Sequence, residues 1–104
     1  MKLVYISHPV RGNVQENLKA ASHWVRWATR LPGIVPLAPY FQSVVAFSES
    51  DPDERQEGFN HGLKILQYCQ ELWVCGERIT EGVQLEIDYA WRWQIPVIFH
   101  EEMT

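Results

Sequence analysis

The sequence predicts an α/β domain, a three-layer αβα sandwich with a mainly parallel sheet of four strands. Three observations support this class. Strand-like and helix-like segments alternate along the 104 residues, as in parallel sheets with helices on both faces. The strand-like segments are short apolar runs, typical of strands buried on both sides. The longest helix-like segment has apolar residues every three or four positions. At this length, we expect one domain spanning 1–104.

The first half of the chain predicts two strands and a long helix. Lys2–Ser7 is rich in β-branched and aromatic residues and ends at a proline-bearing turn, so it predicts strand one. Asn13 can cap a helix that runs from Val14 to about residue 31. Ile34–Leu37 predicts strand two, and its proline favours an edge position.

The helix over 14–31 carries a wider apolar face than one side of a sheet usually covers. Beside the main apolar row runs a second row that contains Trp24 and Trp27. We interpret this tryptophan row in two ways. It is either a dimer surface, where aromatic residues are enriched, or additional packing inside the monomer.

The second half predicts a loop, two helices and two strands. Residues 38–52 are interpreted as a long irregular segment, and ordered loops of this length are often functional. Asp51, followed by proline and two acids, predicts the start of a helix that runs to about Tyr68. Strand three is predicted at 71–75, the last helix at 81–93 and strand four at 95–99.

Composition and spacing argue against several classes of protein. The net charge of -4 lacks the basic excess that nucleic-acid binding requires. No apolar run approaches the roughly 20 residues of a membrane helix, and strand one is too short for a signal peptide. A cytoplasmic location is therefore the default expectation.

Metal and cofactor sites are not expected either. The four histidines are scattered, and neither a CxxC nor an HxxxH pattern occurs. The turn after strand one lacks the GxGxxG spacing of dinucleotide sites, and there is no phosphate-binding P-loop. Cys69 and Cys75 flank one predicted strand, about 20 Å apart if it is extended. They are therefore expected to be free thiols.

A candidate site follows from the direction of the strands. In open α/β sheets, small ligands bind at the rim formed by the carboxyl ends of the strands. The segments after strands one, two and three therefore meet there. The candidates for substrate binding on this rim are Ser7, His8, Pro9, Arg11, Gly12, Tyr40, Gly76, Thr80 and Gly82.

The strongest candidate for chemistry is Glu86, six residues after the helix cap Thr80. Helical side chains lean toward the N-terminus, and the helix dipole there favours a carboxylate by about 0.3–1 kcal/mol. An ionised carboxylate can attack an oxocarbenium-like sugar carbon. The alternative is a solvated helix acid.

Three further side chains have both a functional and a structural interpretation. Tyr5 on strand one is expected either to hydrogen-bond and orient Glu86 or to be an ordinary core tyrosine. Arg11 has a planar guanidinium suited to a phosphate or a sugar hydroxyl, or it is a surface arginine. Thr80 is first of all a helix cap that can also face the ligand.

Three segments form a recognisable combination when taken in order along nearly the whole chain. They are Tyr5-Ile6-Ser7-His8-Pro9-Val10-Arg11-Gly12, Leu72-Trp73-Val74-Cys75-Gly76 and Thr80-x-Gly82-x-x-x-Glu86-x-x-Tyr89-Ala90. Together they resemble the nucleoside 2-deoxyribosyltransferase-like superfamily, in particular its small, mostly uncharacterised bacterial and phage members.

The resemblance implies a flavodoxin-like, Rossmann-like fold and cleavage or transfer at the N-glycosidic bond of a (deoxy)nucleoside or its monophosphate. By position, Glu86 matches the nucleophile that attacks C1′, and Tyr5 matches the tyrosine that contacts it. Gly82 matches the glycine that lets the backbone approach the substrate. The resemblance also implies a homodimer or higher homo-oligomer, in which a neighbouring subunit often completes the site.

Three positions depart from the family pattern. Thr80 stands where the transferases carry an aspartate six residues before the nucleophile. Gln70-Glu71 stands where they carry an aspartate that holds the base, so Glu71 is at best a substitute. His8 stands where small relatives have glycine or alanine. Base exchange, hydrolysis and a non-catalytic nucleotide-binding module therefore remain alternatives.

Overall fold

The protein is an α/β sandwich with a parallel four-stranded sheet. The computed structural model describes residues 1–104. Its strands are β1 (Lys2–Ser7), β2 (Ile34–Leu37), β3 (Glu71–Cys75) and β4 (Val97–His100), and its helices are α1 (Val14–Thr29), α2 (Tyr40–Ala46), α3 (Pro52–Leu66) and α4 (Glu81–Arg92). The strand order is β2-β1-β3-β4, and every pair is parallel. The predicted fold class is confirmed.

The order of the strands puts β1 and β3 in the centre of the sheet. Tyr5 of β1 pairs with Leu72 of β3, and Ser7 pairs with Val74. β2 lies at one edge, as its proline predicts. Because all the strands are parallel, their carboxyl ends share one rim, which is where Ser7 and Cys75 end their strands.

Alternation along the central strands gives the sheet two different faces. Val4 and Ile6 point toward α1, where they pack with Trp24, Ala28 and Trp73. On the other face, Tyr5, Leu72 and Val74 pack with residues of α3 and α4, including Leu66 and Ile87. Tyr5 is thus part of the core beneath α4.

The tryptophan row of α1 packs inside the monomer. Trp24 is 7% exposed, and its ring lies 5.5 Å from the ring of Trp27 in a T-shaped pair. Trp27 in turn lies 5.8 Å from Trp73 and 5.2 Å from His100. The interpretation as packing inside the monomer is therefore supported for Trp24, while Trp27 is only half-buried, so the dimer-surface interpretation stays a prediction. Val4 and Ile6 of β1 pack in the same buried cluster as Trp24 and Trp73.

The segment 38–52 is not irregular throughout, because it contains the short helix α2. This helix has no side-chain cap, which explains why the sequence carries no sign of its start. It is held by contact with α3 instead. Ser43 Oγ donates to the carbonyl of Gly58 (3.5 Å), and a Cβ on Gly58 would stand 2.9 Å from Ser43 Cβ.

The remaining boundaries differ from the predictions by a few residues. α3 ends at Leu66 rather than near 68, α4 ends at Arg92, and β4 runs from Val97 to His100. Cys69 and Cys75 are free, as expected, and burial raises their pKa values to about 11 and about 12. None of the four helices combines the length and apolarity needed to cross a membrane.

Candidate active site

Glu86 lies on the buried side of α4. The helix begins after Thr80, whose side chain accepts a hydrogen bond from the amide of Val83 (3.3 Å). From this start, the helical repeat places Val83, Glu86, Ile87 and Ala90 on one buried face. Glu86 is 6% exposed, so it is not a solvated helix acid.

Two hydroxyl groups hold the Glu86 carboxylate, one on each oxygen. Tyr5 Oη donates to Oε2 at 2.6 Å, and Ser7 Oγ donates to Oε1 at 2.6 Å. Tyr5 and Ser7 are two residues apart on β1, so both side chains point to the same face of the sheet. The predicted contact between Tyr5 and Glu86 is present. Ser7, predicted to bind substrate, bonds to the carboxylate.

Burial dominates the titration of Glu86. It raises the pKa from 4.5 to about 7, although the hydrogen bonds from Ser7 and Tyr5 act in the opposite direction. Burial thus outweighs the helix dipole that was expected to favour the carboxylate, and Glu86 is partly protonated near neutral pH. Burial and the adjacent carboxylate raise the pKa of Tyr5 well above its ordinary value, so its phenol stays protonated.

A cavity of about 640 Å³ opens beside Glu86. Its walls come from the β1–α1 loop, α2, the first three turns of α3 and the start of α4. The predicted site residues that line it are Tyr5, His8, Arg11, Gly12, Tyr40, Thr80, Gly82 and Glu86. The carboxyl-end rim is thus where the structure brings most of them together.

Three predicted substrate-binding residues do not line the cavity. Ser7 is turned to Glu86. The Pro9 carbonyl accepts a hydrogen bond from His8 Nδ1 (2.8 Å). Gly76 lies beside Trp24, and a Cβ built on Gly76 would stand 4.0 Å from Trp24 Nε1. The Gly76 amide donates to the carbonyl of His100. Pro9 and Gly76 thus contact neighbouring protein groups and not the cavity.

The wall formed by α3 was not foreseen from the sequence. Arg55, Phe59 and Gly62 line the cavity, and a Cβ on Gly62 would stand 3.0 Å from Tyr5 Oη. Glycine at this position leaves room for the phenol that holds Glu86. The spacing of Gly58 and Gly62, one helical turn apart, is the sequence signal for this close approach.

Asn17 fixes the loop that carries Arg11. Its Nδ2 donates to the carbonyls of Val10 and Arg11, both at 3.1 Å. Its Oδ1 accepts from Arg78 Nη2 at 2.8 Å, which joins this loop to the one after β3. Gly12 completes the turn with a positive φ of 95°. The Arg11 side chain forms no ion pair, since the single salt bridge joins Lys2 and Glu71.

Glu71 cannot serve as the acid that holds a base. It lies at the start of β3, where Lys2 Nζ contacts Oε2 at 2.6 Å and Trp73 Nε1 donates to Oε1 at 2.8 Å. Alternation places Glu71 and Trp73 on the α1 face of the sheet, opposite to Glu86. The suggestion that Glu71 substitutes for the family aspartate is therefore wrong.

Two other polar side chains border the cavity. His8 is 8% exposed, and burial, chiefly, lowers its pKa. Tyr40 Oη is buried without a hydrogen-bond partner, and burial together with the charge of Glu86 raises the pKa of Tyr40 well above its ordinary value. Both groups are thus neutral near pH 7.

Comparison with known proteins gives a family and a shared fold. The family described as Domain of unknown function (DUF7768) matches residues 2–100. No curated protein shows significant similarity to the chain. A 2-deoxyribosyltransferase from Bacillus psychrosaccharolyticus superposes with a TM-score of 0.72 at 17% identity, over 93% of this chain and 70% of that one.

A second solved structure has the same arrangement. The conserved protein from Enterococcus faecalis V583 superposes with a TM-score of 0.66 at 20% identity. The match covers 95% of this chain and 62% of the Enterococcus protein. At these identities, both likenesses establish the fold.

Proposed function

We propose that this chain, which belongs to the DUF7768 family, cleaves or transfers at the N-glycosidic bond of a (deoxy)nucleoside or nucleoside monophosphate. Glu86 is the proposed nucleophile. The observation that carries the proposal is a buried carboxylate at the wall of a cavity, with each oxygen held by a hydroxyl group. Retaining glycosidic chemistry requires such a fixed carboxylate.

The proposed first step is attack by a Glu86 oxygen on C1′ of the sugar. The bond from C1′ to the base breaks, and the base leaves with the bonding electrons and takes up a proton. A carboxylate oxygen that accepts one hydrogen bond retains a lone pair for attack. Tyr5 and Ser7 therefore orient the carboxylate without blocking it. The same two donors stabilise the carboxylate when it later leaves the sugar.

The size and walls of the cavity support a nucleoside-sized ligand. A volume of about 640 Å³ lies within the range of small-molecule sites. Tyr40 and Phe59 offer aromatic surface for a base, while Arg11 and Arg55 offer guanidinium donors for hydroxyl or phosphate oxygens. Because Glu71 lies on the other face, recognition of the base differs from the family pattern.

The proposal is tested by incubating the protein with deoxynucleosides, ribonucleosides and their 5′-monophosphates, and measuring released base by chromatography. Glu86→Gln should reduce base release at least about 10³-fold, because the nucleophile is lost. Asp88→Asn is the matched control, since Asp88 is exposed on the same helix. Wild-type turnover by Glu86→Gln would rule out the proposed nucleophile.

A non-catalytic nucleotide-binding module is the second candidate. This candidate is favoured because the chain lacks two acids of the family pattern. Thr80, at one of those positions, caps α4, and Glu71, near the other, is paired with Lys2. Thermal-shift measurements with nucleosides and mononucleotides separate the two. Stabilisation without free base after hours supports the binding module, and no stabilisation by any nucleotide counts against both candidates.

We also propose that the chain forms a homodimer or a larger homo-oligomer. Apolar surface outside α1 is provided by three exposed aromatic side chains, those of Trp91, Trp93 and Phe99. Light scattering at micromolar concentration tests this proposal, and a monomer would contradict it.

A further inference from the structure

We propose that His8 is the general base that activates water to release the sugar from Glu86, so that the site carries out hydrolysis. This inference rests on the proposed function and assigns the group that completes its second step. It starts from the one histidine that lines the main cavity. The other three histidines (His23, His61 and His100) do not.

The hydrogen bond of His8 determines which ring nitrogen is free. Nδ1 lies 2.8 Å from the carbonyl oxygen of Pro9. A carbonyl oxygen can only accept, so Nδ1 carries the proton of this contact. In the neutral ring, Nε2 then has the lone pair. The neighbouring peptide thus selects the tautomer in which Nε2 accepts a proton.

Nε2 has no partner within the protein and is not sealed from solvent. The only hydrogen bond of the His8 ring is the one to Pro9. The buried side-chain polar atoms without a partner are Tyr40 Oη and His100 Nε2, so His8 Nε2 is not among them. The residue is nevertheless 8% exposed and lines the cavity. A nearly buried ring that lines the cavity thus keeps one nitrogen with a free lone pair, which the proposal assigns to the ligand side.

The position of His8 relative to the nucleophile follows from the chain. His8 directly follows Ser7, whose hydroxyl lies 2.6 Å from Glu86 Oε1, and consecutive Cα atoms are about 3.8 Å apart. Both Glu86 and His8 belong to the walls of the same cavity. The proposal accordingly places the attacking water in this cavity, between the His8 ring and a sugar bound to Glu86.

The charge state suits a base near neutral pH. Burial chiefly lowers the pKa of His8, the positive charge of Arg78 adds to this, and the hydrogen bond to Pro9 acts against it. The ring is therefore neutral at pH 7 and can accept a proton. Tyr5 is protonated and already donates to Glu86, so it cannot take this role.

After the base has left, C1′ of the sugar is esterified to Glu86. His8 Nε2 removes a proton from water as the water oxygen bonds to C1′, and the C1′–O bond to Glu86 breaks with its electrons returning to the carboxylate. The imidazolium then loses the proton to solvent. The products are the free sugar, the Glu86 carboxylate and neutral His8.

The test compares wild type, His8→Ala and His8→Gln on a substrate from which the wild type releases base. If the wild type releases no base from any substrate, the proposed function itself fails. His8→Ala should release a first base per active site at nearly the wild-type rate. Steady-state release should then fall about 10²-fold or more, because general base catalysis typically contributes 10²–10⁴-fold. Intact-mass measurement should show the glycosyl adduct accumulating on the protein.

Azide provides a second measurement that a purely structural defect would not reproduce. As an anion it needs no base, so it should restore turnover of His8→Ala and yield a glycosyl azide. His8→Gln keeps a side chain of similar size and should behave like His8→Ala, with circular dichroism confirming its fold. His23→Ala, at an exposed histidine of α1, should match the wild type.

Three results would overturn the assignment of His8. The first is wild-type hydrolysis by both His8 variants. The second is loss of the first-turnover base release together with the steady-state rate, which would place His8 in the first step. The third is accumulation of the adduct in Glu81→Gln and not in His8→Ala. That result would assign the base to Glu81, the acid that lines the same cavity at the start of α4.

Discussion

Buried polar groups on the two faces of the central sheet differ in their hydrogen bonding. On the face toward α3 and α4, the Glu86 carboxylate is paired with two hydroxyls and borders a cavity of about 640 Å³. On the face toward α1, the ring of His100 lies 4.4 Å from Trp73 and 5.2 Å from Trp27, and its buried Nε2 has no partner. The same strands supply both faces through alternate residues.

The size of the covering side chains explains the difference. Gly62 of α3 faces Tyr5, and even a Cβ there would come within 3.0 Å of the phenol oxygen. On the other face, α1 brings Trp24 and Trp27 against the sheet. Gly62 on α3 thus leaves room for the polar cluster beside the cavity, whereas the large rings of α1 fill the space on the other face. One face is therefore expected to determine activity and the other stability.

Replacing Trp24 should have the largest effect on stability. Trp24→Ala removes a ring that is 7% exposed and leaves a cavity, which costs about 3–5 kcal/mol for a buried tryptophan. Urea unfolding measures the loss. Trp91→Ala is the control, because Trp91 is 61% exposed and its loss should change the free energy of unfolding by about 0.5 kcal/mol or less. If Trp24→Ala lowered the free energy of unfolding no more than Trp91→Ala does, the proposed contrast between the two faces would be wrong.

Glu86→Gln should stabilise the protein at alkaline pH. Burial raises the Glu86 pKa from 4.5 to about 7, so the contribution of this group to stability is full below about pH 4.5 and is lost as pH rises through about 7. Each pKa unit corresponds to about 1.4 kcal/mol, so the loss approaches about 3 kcal/mol at pH 8.

Urea unfolding of both proteins at pH 5 and pH 8 measures this effect. The free energy of unfolding of Glu86→Gln, relative to wild type, should be larger at pH 8 than at pH 5, while Asp88→Asn shows no such change. An equal difference at the two pH values would show that the carboxylate is not desolvated in the fold.

Ser7→Ala should move the pH dependence of activity. The proposed base release should have a kcat/KM that falls below about pH 7 as Glu86 of the unliganded protein becomes protonated. Loss of the Ser7 hydroxyl removes a donor that lowers this pKa, so the acid limb should shift to higher pH by on the order of one pH unit. Ser7→Thr retains the hydroxyl and should stay near the wild-type profile. An unshifted limb in Ser7→Ala would mean that Ser7 does not act through Glu86.

Glu71→Gln should have the smallest effect. Its partner Lys2 is 55% exposed, and exposed ion pairs contribute about 0–1 kcal/mol. Because Glu71 lies on the α1 face, base release and its pH profile should remain at wild-type values. A loss of activity without a loss of stability would show that Glu71 contributes to the site after all.

The parts of the fold that were predictable have local causes. The caps Asn13, Asp51 and Thr80 mark the starts of α1, α3 and α4, because each side chain bonds to amides two or three residues away. The helix α2 lacks a cap and is held by Ser43 against Gly58. A contact across 15 residues of chain has no local pattern, so this helix was interpreted as part of a loop.

The candidate site likewise has a part that the sequence predicts and a part that depends on contacts between distant residues. Glu86 and Tyr5 were identified from their positions on a helix and a strand, and their hydrogen bond is present. The bond from Ser7 to Glu86 joins residues 79 positions apart, and the α3 wall depends on how that helix lies over β1. Pro9 and Gly76 follow strands that end at the rim, so the sequence predicts them at the site, but they do not line the cavity. The direction of a strand does not specify which way the following loop turns.

Residue order alone is sufficient for the α/β class, the edge position of β2, most helix starts and the choice of Glu86, since these follow from periodicity, capping and strand direction. The three-dimensional packing is required for the rest. It buries Glu86 and raises its pKa to about 7, places Glu71 on the opposite face and buries Trp24 of α1 in the core. Burial and pairing depend on residues far apart in the chain, so they exist only when the helices lie against the sheet.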